Sequence, residues 1–413
     1  MEIRQVRPED EDLAQWWRAR SIGYLGSPRV GADDVAYLRE AMDPERIWGA
    51  FEDGRCVATF RGFAHEVTAP GGVPVASSAV SGVTVSPTHR RRGLLTRLMA
   101  DELRRAQERG DAMASLIASE YPIYGRFGFG PATWLTDFRI DTLRATRPGL
   151  PEEPRDGGRI VLADAERVLR EGPALHERVR AARHGMVTRP SVWWKRMTGV
   201  YRLTGVAWKE PYYALYLAAD GTLDGIVAYT AEEKWDGGLP ACELHVNDLL
   251  AATPAAERAL WHYLCSVDWV AGVKAPSRAP DDPLPLLVGD ARAVVPTACA
   301  DHLWLRPLDV TGMLTARAYQ AEGQLVLDVR DEGGPAQGRF LLEAGPDGAS
   351  CKPTDRTADL TLPAAALGSL YLGDESAVRL ASLGRLREER AGAAVRADTL
   401  LRTSRRPWCP DVF

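Results

Sequence analysis

Apolar positions in the first third of the chain switch between two periods. Residues 2–6 predict a first strand, and Pro8-Glu9-Asp10 suits the start of a helix carrying Leu13, Trp16 and Trp17. Residues 48–51 and 56–60 predict two strands joined by Asp53-Gly54, a hairpin turn dipeptide. Residues 76–85 form a longer strand with β-branched Val80, Val83 and Val85, stopped by Pro87. A helix opens at Gly93, with Leu94, Leu95, Leu98, Met99, Leu103 and Ala106 on one face at about 3.6 residues per turn. Asp101, Glu102, Arg104, Arg105 and Glu108 take the other face, Gly110 suits the stop, and residues 114–118 return as a strand. The unit reads strand, basic turn, helix, strand.

Residues 147–158 gather Pro and Gly among charges and read as a linker or long connection. The middle third predicts strands at 212–217, 225–230 and 241–249, then a helix begun by Pro254 behind a Thr253 cap and carrying Leu260, Tyr263 and Leu264. A second Pro-rich stretch, 275–285, interrupts this region. From Leu303 the texture changes. Strands at 324–330, 338–343 and 360–363 precede Ala- and Leu-rich helices, the pattern of a small α+β domain.

Composition bounds this picture. At about 150 residues per domain, 413 residues make two or three domains. With 45% hydrophobic and 26% charged residues the chain is neither disordered nor a disulfide-dense miniprotein. Apolar runs such as 214–219 fall far short of the roughly 20 residues that span a bilayer. Glu2, Arg4, Arg7 and Glu9 leave no apolar leader after Met1, so a cytoplasmic location is expected. A net charge of -5 does not draw nucleic acid, although a local basic patch could. Cysteines at 56, 242, 265, 299, 351 and 409 form no CxxC, which argues against a zinc ribbon or redox pair, and no metal is expected.

Most of the chemical signal lies in residues 83–95, VTVSPTHRRRGLL. Three arginines and a glycine stand between a β-branched strand and a helix N-terminus, where free N–H groups and the helix dipole favour a pyrophosphate. Gly93 removes a side chain where backbone would approach phosphate, and the arginines can add charge-assisted hydrogen bonds. The turn is neither a P-loop nor a dinucleotide fingerprint. An isolated RRRG would read as a solvated surface cluster; the flanking strand and helix favour the anion site.

The R-x-x-G turn after V-x-V-x-P resembles the acetyl-CoA site of the GCN5-related N-acetyltransferases. Residues 119–130, SEYPIYGRFGFG, and the ending at 407–413, PWCPDVF, are similar to the Eis (enhanced intracellular survival) family. The resemblance implies an α+β chain of three units: an acetyltransferase domain at 1–147, a degenerate acetyltransferase-like domain at 148–302, and a sterol-carrier-like domain at 303–413 whose tail reaches the active site. The middle unit has no second basic R-x-x-G turn, so only the first should bind acetyl-CoA. A homo-hexamer is also implied.

By the same resemblance, Val83 and Val85 align the pantetheine arm, and Arg90, Arg91, Arg92, Gly93 and Leu94 form the pyrophosphate turn. Ser119 matches a further cofactor-side position, Tyr124 the general acid, and the α-carboxylate of Phe413 the general base. Without the motif, Tyr124 would read as an aromatic packed in a glycine-rich turn. Last residues usually fray, but Trp408, two prolines and an apolar final residue argue that this tail docks. The implied acceptors are amines of cationic small molecules, aminoglycoside- or polyamine-like, or a lysine side chain. The family's acidic penultimate residue is Val412 here, with Asp411 one place earlier. Asp33, Asp34 and Glu40 are weak candidates for a carboxylate-lined pocket, solvated helix charges being the plainer account, and Trp193-Trp194 reads as core or interface packing. Two other function classes remain open, a lipid or sterol carrier and a non-catalytic acyl-CoA-binding regulator.

Overall fold

The computed structural model describes residues 1–7, 9–146 and 157–413. The first sheet is built around the expected hairpin. Asp53 and Gly54 take φ of 49° and 75°, a two-residue turn matched to strand twist, and join Ile47–Glu52 to Arg55–Thr68. Glu2–Gln5 pairs outside the first of these strands and Pro74–Val85 outside the second, both antiparallel. Helix Leu94–Glu108 then carries the chain to Met113–Ile117, parallel to Pro74–Val85. The expected apolar face is the one that packs: Leu94, Leu98, Met99 and Ala106 are buried, with Leu95 and Leu103 partly so. Glu102, expected on the solvent face, is 1% exposed instead. Its carboxylate accepts from Ser78 at 2.7 Å and Arg109 at 2.5 Å, and these partners make its burial tolerable.

The parallel ladder is short, running from Ser77 opposite Met113 to Val80 opposite Leu116. On the antiparallel side the register slips between Thr59 and Arg61, a bulge with Gly82 at φ 60°. Thr59 Oγ1 donates to Gly82 O and accepts from Thr84 Oγ1, both at 2.7 Å, which fixes the kink. Residues 81–85 thus diverge from Met113–Ile117, and an opening forms between two strands of one sheet.

The sheets do not follow the boundaries expected at 147 and 302. Trp134–Asp141, placed in the first unit by the sequence, pairs with Val270–Arg278 and Val294–Asp301 in a second seven-stranded sheet. Leu303–Pro307, placed in the third unit, enters the first sheet between Met113–Ile117 and Gly130–Pro131. Each sheet therefore holds a strand from across an expected boundary. The middle strands and helix stand close to expectation, as Tyr212–Leu217, Leu223–Glu232, Cys242–Ala251 and Pro254–Ser266, with Thr253 accepting from the Ala256 N–H at 3.2 Å. The Pro-rich stretch at 275–285 begins as the end of strand Val270–Arg278. Most of the proposed linker, 147–156, lies outside the described residues.

The third unit has a five-stranded sheet with its own core, in which Leu325, Leu327 and Val329 of Gly323–Arg330 alternate inward. Helix Ala364–Tyr371 lies against the first sheet. A Cβ on Gly130 would stand 2.0 Å from the Ala365 carbonyl oxygen, so only glycine permits this approach. No helix among the described residues is long and apolar enough to cross a membrane.

The tail docks. Trp408 is buried, its N–H donates to His184 O at 3.0 Å and its Nε1 to Ser277 O at 2.8 Å. Arg189, 2% exposed at its side chain, donates to Asp411 at 2.7 Å and to both oxygens of Asp248 at 2.8 and 2.9 Å. Burial opposes its charge, yet the two aspartates hold its pKa above the ordinary arginine value. His302 Nε2 meets the Asp411 carbonyl at 2.9 Å. Replacing Arg189 with Ala leaves two buried carboxylates unpaired and should cost roughly 3–5 kcal/mol. Calorimetry should show a clearly lowered thermal midpoint, partly recovered in Arg189→Lys.

Candidate active site

A groove of about 420 Å³ runs from the strand opening to the basic turn. Val83, Thr84 and Val85 form one wall, Ser119, Ile123 and Tyr124 the other, and Arg90, Arg91, Gly93 and Leu94 close one end. Gly93 caps helix Leu94–Glu108 at φ 75°, the left-handed conformation its missing side chain permits. No side chain caps this helix, and the first intrahelical bond runs from the Arg97 N–H to Gly93 O. The N–H groups of the first turn thus point outward beside Arg90 and Arg91, as a pyrophosphate requires.

Arg92 departs from expectation. It does not line the groove; its guanidinium lies 3.8 Å from Glu52 and donates to Thr88 O at 3.3 Å. His89, which the motif reading left without a role, lines the groove and contacts Glu52 at 2.7 Å. The groove also gains Tyr24, Thr96 and Arg126. Arg126 and Thr96 were visible within or beside the quoted motifs, whereas nothing local marks Tyr24. Tyr124 is 9% exposed, and burial pushes its pKa up to about 12.

Across the bulge lies a second cavity of about 130 Å³, with Ser81 and Gly82 in its lining. Trp16, Trp17, Arg20 and Tyr37 come from the first two helices, Arg61, Phe63 and His65 from the long strand, and Arg189, Trp193 and Arg196 from the middle unit. Phe413 closes it, edge-on to Phe63 at 5.6 Å and to His65 at 5.0 Å. Burial lowers the His65 pKa to about 3, so the ring is neutral, and its Nε2 meets Ser115 Oγ at 2.6 Å. Trp193, expected in packing alone, is part of this lining and stacks on Arg189 at 3.7 Å; Trp194 is buried.

The acidic candidates sit elsewhere. Asp33 accepts from the Arg202 N–H at 3.1 Å, and Asp34 from the N–H groups of Gly31 at 2.7 Å and Thr204 at 2.9 Å. Glu40 is held by Lys195 at 2.8 Å and Tyr201 at 2.6 Å. None of the three lines either cavity. On the second sheet Glu232, Glu243 and His245 bring ligand atoms within 4.8 Å, but Arg139 and Lys274 already neutralise Glu243 at 2.6 and 2.9 Å.

Residues 2–132 and 185–307 each match an acetyltransferase (GNAT) domain family, and residues 310–410 a sterol carrier protein domain family. The fold and groove thus define a tandem GNAT protein with a sterol-carrier-like third unit, an acetyl-CoA-dependent N-acetyltransferase. The chain is 35% identical to N-acetyltransferase Eis of Mycobacterium tuberculosis over 348 residues, 82% of either chain. It is 54% identical to an uncharacterized N-acetyltransferase of Streptomyces avermitilis over 410 residues, 99% of this chain and 98% of the relative. The crystal structure of Eis1 from Mycobacterium abscessus matches with a TM-score of 0.86 and 32% identity over all of both chains. The chain belongs to the Eis family of GCN5-related N-acetyltransferases, as the motifs at 83–95 and 119–130 implied.

Replacing Arg90 and Arg91 together with Ala should raise the acetyl-CoA dissociation constant at least tenfold, with a smaller effect at high salt, because exposed charge–phosphate attraction is screened. Titration calorimetry at two ionic strengths checks this.

Proposed function

We propose that the protein acetylates an amine that enters through the aromatic cavity and meets the thioester at the bulge around Gly82. One observation carries this reading: consecutive residues of a single strand line the two spaces, Ser81 and Gly82 the cavity and Val83 and Thr84 the groove, with Tyr124 in the groove and Phe413 in the cavity. The amine nitrogen attacks the thioester carbonyl carbon, so a C–N bond forms and the C–S bond breaks. The nitrogen's proton passes to the Phe413 carboxylate, and the departing sulfur takes the Tyr124 hydroxyl proton. Proton return from one site to the other through solvent restores the enzyme.

Burial shapes the role of Tyr124. A tyrosine with its pKa near 12 is protonated at every working pH but gives its proton up reluctantly. Transfer therefore has to accompany C–S cleavage, when the sulfur becomes basic. The Phe413 carboxylate, with an ordinary pKa of about 3.5, is ionised at neutral pH and accepts a proton as the nitrogen becomes acidic in the transition state. The aminoglycoside, polyamine or lysine acceptors implied by the resemblance fit the amine chemistry; the charges of the cavity bear on them below.

Tyr124→Phe should lower kcat by about 10²-fold or more while acetyl-CoA binding changes little. Because Tyr124 stays protonated, the wild-type kcat should show no alkaline decline from this group up to pH about 10. Steady-state kinetics across pH, with unchanged kcat in the variant as the contrary result, test the acid. Extending the chain by two glycines beyond Phe413 tests the base. The proposal requires turnover to fall about 10²-fold with acetyl-CoA affinity retained, and full activity in the extended protein removes Phe413 from the role.

A further inference from the structure

Among the described residues, three guanidinium groups in the acceptor cavity, those of Arg20, Arg61 and Arg196, form no ion pair with a carboxylate. Arg20 stacks on Trp17 at 4.8 Å and Tyr24 at 5.3 Å, and among the described residues no ion pair to it is found. Arg61 lies over Phe63 at 4.6 Å, donates to the Ala41 carbonyl at 2.8 Å and meets the Tyr37 hydroxyl, while its Nε is buried without a hydrogen-bond partner among the described residues. Arg196 lines the same cavity, where its charge disfavours that of Arg20 and favours that of Asp411. Burial depresses the pKa of both Arg20 and Arg61, the mark of charges withdrawn from water with little compensation.

The negative charges nearby are already engaged. Asp411 and Asp248 both serve Arg189, and Asp33, Asp34 and Glu40 bond outside the cavity. Counting the surplus charge of the Arg189 cluster and the Phe413 carboxylate, three guanidiniums still outnumber two negative charges. A guanidinium held over an aromatic ring keeps its planar fork of donors available to a carboxylate or phosphate. The rest of the wall is aromatic, with Trp16, Trp17, Tyr37, Phe63 and Trp193. With one positive charge in surplus, a polycation placed here would meet net repulsion, and an oxyanion would complete the set.

We propose that the acceptor is an amine carrying a carboxylate or other oxyanion on an aromatic or apolar body, with Arg20, Arg61 and Arg196 binding the anion. The inference rests on the acetyl-transfer reading above for the amine's place, and the transfer itself is the balanced step given there. The anion stays intact, and the acetyl group leaves coenzyme A sulfur for nitrogen.

Matched pairs of amines test it on the full-length protein. They are 4-(aminomethyl)benzoate against 4-methylbenzylamine, phenylalanine against phenethylamine, and 4-(aminomethyl)phenylphosphonate to separate phosphonate from carboxylate, with spermidine and kanamycin as polycations. Thiol release gives kcat/KM, and quenching of tryptophan fluorescence, with coenzyme A present, reports binding without turnover. The acidic members should exceed their neutral partners at least tenfold in kcat/KM or affinity. Arg20→Gln and Arg61→Gln should collapse that ratio about tenfold, and the corresponding Lys variants should restore part of it. Equal or better use of neutral amines or spermidine, or ratios indifferent to both arginines, overturns the proposal; so does a lack of binding by every acidic amine. Tight binding of the acids without thiol release upholds the anion site and overturns the acetyl-transfer reading instead.

Discussion

The guanidinium of Arg189 is the joint on which the active site hangs. It takes Asp248 from the middle unit and Asp411 from the tail, and its face lies on Trp193. A buried ion cluster is poor evidence for net stability, because desolvation offsets much of its attraction. Its value here is positional. Asp411 stands two residues before Phe413, so fixing its carboxylate restricts where Phe413 can stand, and Phe413 lines the cavity against Phe63 and His65. Three segments far apart in sequence meet at one charge, and the cavity's far wall depends on that meeting.

The other wall depends on a defect in a sheet. A continuous ladder between Pro74–Val85 and Met113–Ile117 would leave no backbone free and no space for a ligand. The ladder stops at Val80, the bulge at Gly82 turns the strand aside, and the hydroxyls of Thr59 and Thr84 hold it there. Residues 83–85 of that strand and the first turn of helix Leu94–Glu108 then face the same groove. The groove lies where regular hydrogen bonding is interrupted, and the interruption is itself held by hydrogen bonds.

What could be read from the sequence was what short-range physics decides. Asp53-Gly54, the Thr253–Pro254 helix start, the amphipathic run after Gly93 and the basic turn all carry their reasons within a few residues. Arg92 shows the limit: it sits inside the motif, yet a partner about forty residues earlier, Glu52, turns it aside. Trp134–Asp141 and Leu303–Pro307 are not among the strands expected from the sequence, and nothing local says that each completes a sheet across an expected boundary. The cavity was harder still. Arg20, Arg61, Trp193 and Phe413 become neighbours only after four segments converge, and Asp34 reads as a surface charge until Gly31 and Thr204 are seen to use it.

The exchange of strands has a consequence for how the protein is made. Met113–Ile117 finds its second neighbour only when Leu303–Pro307 arrives, after nearly the whole middle unit has been synthesised. At ribosomal rates of roughly 5–20 residues per second, the nascent first unit carries an open sheet edge for on the order of ten seconds or more, in a segment most proteins would have closed first. Vectorial synthesis therefore withholds this strand of the first sheet until the middle unit has been made, and the tail that lines the cavity until later still. A fragment released early would be a sticky half-sheet, not a miniature enzyme.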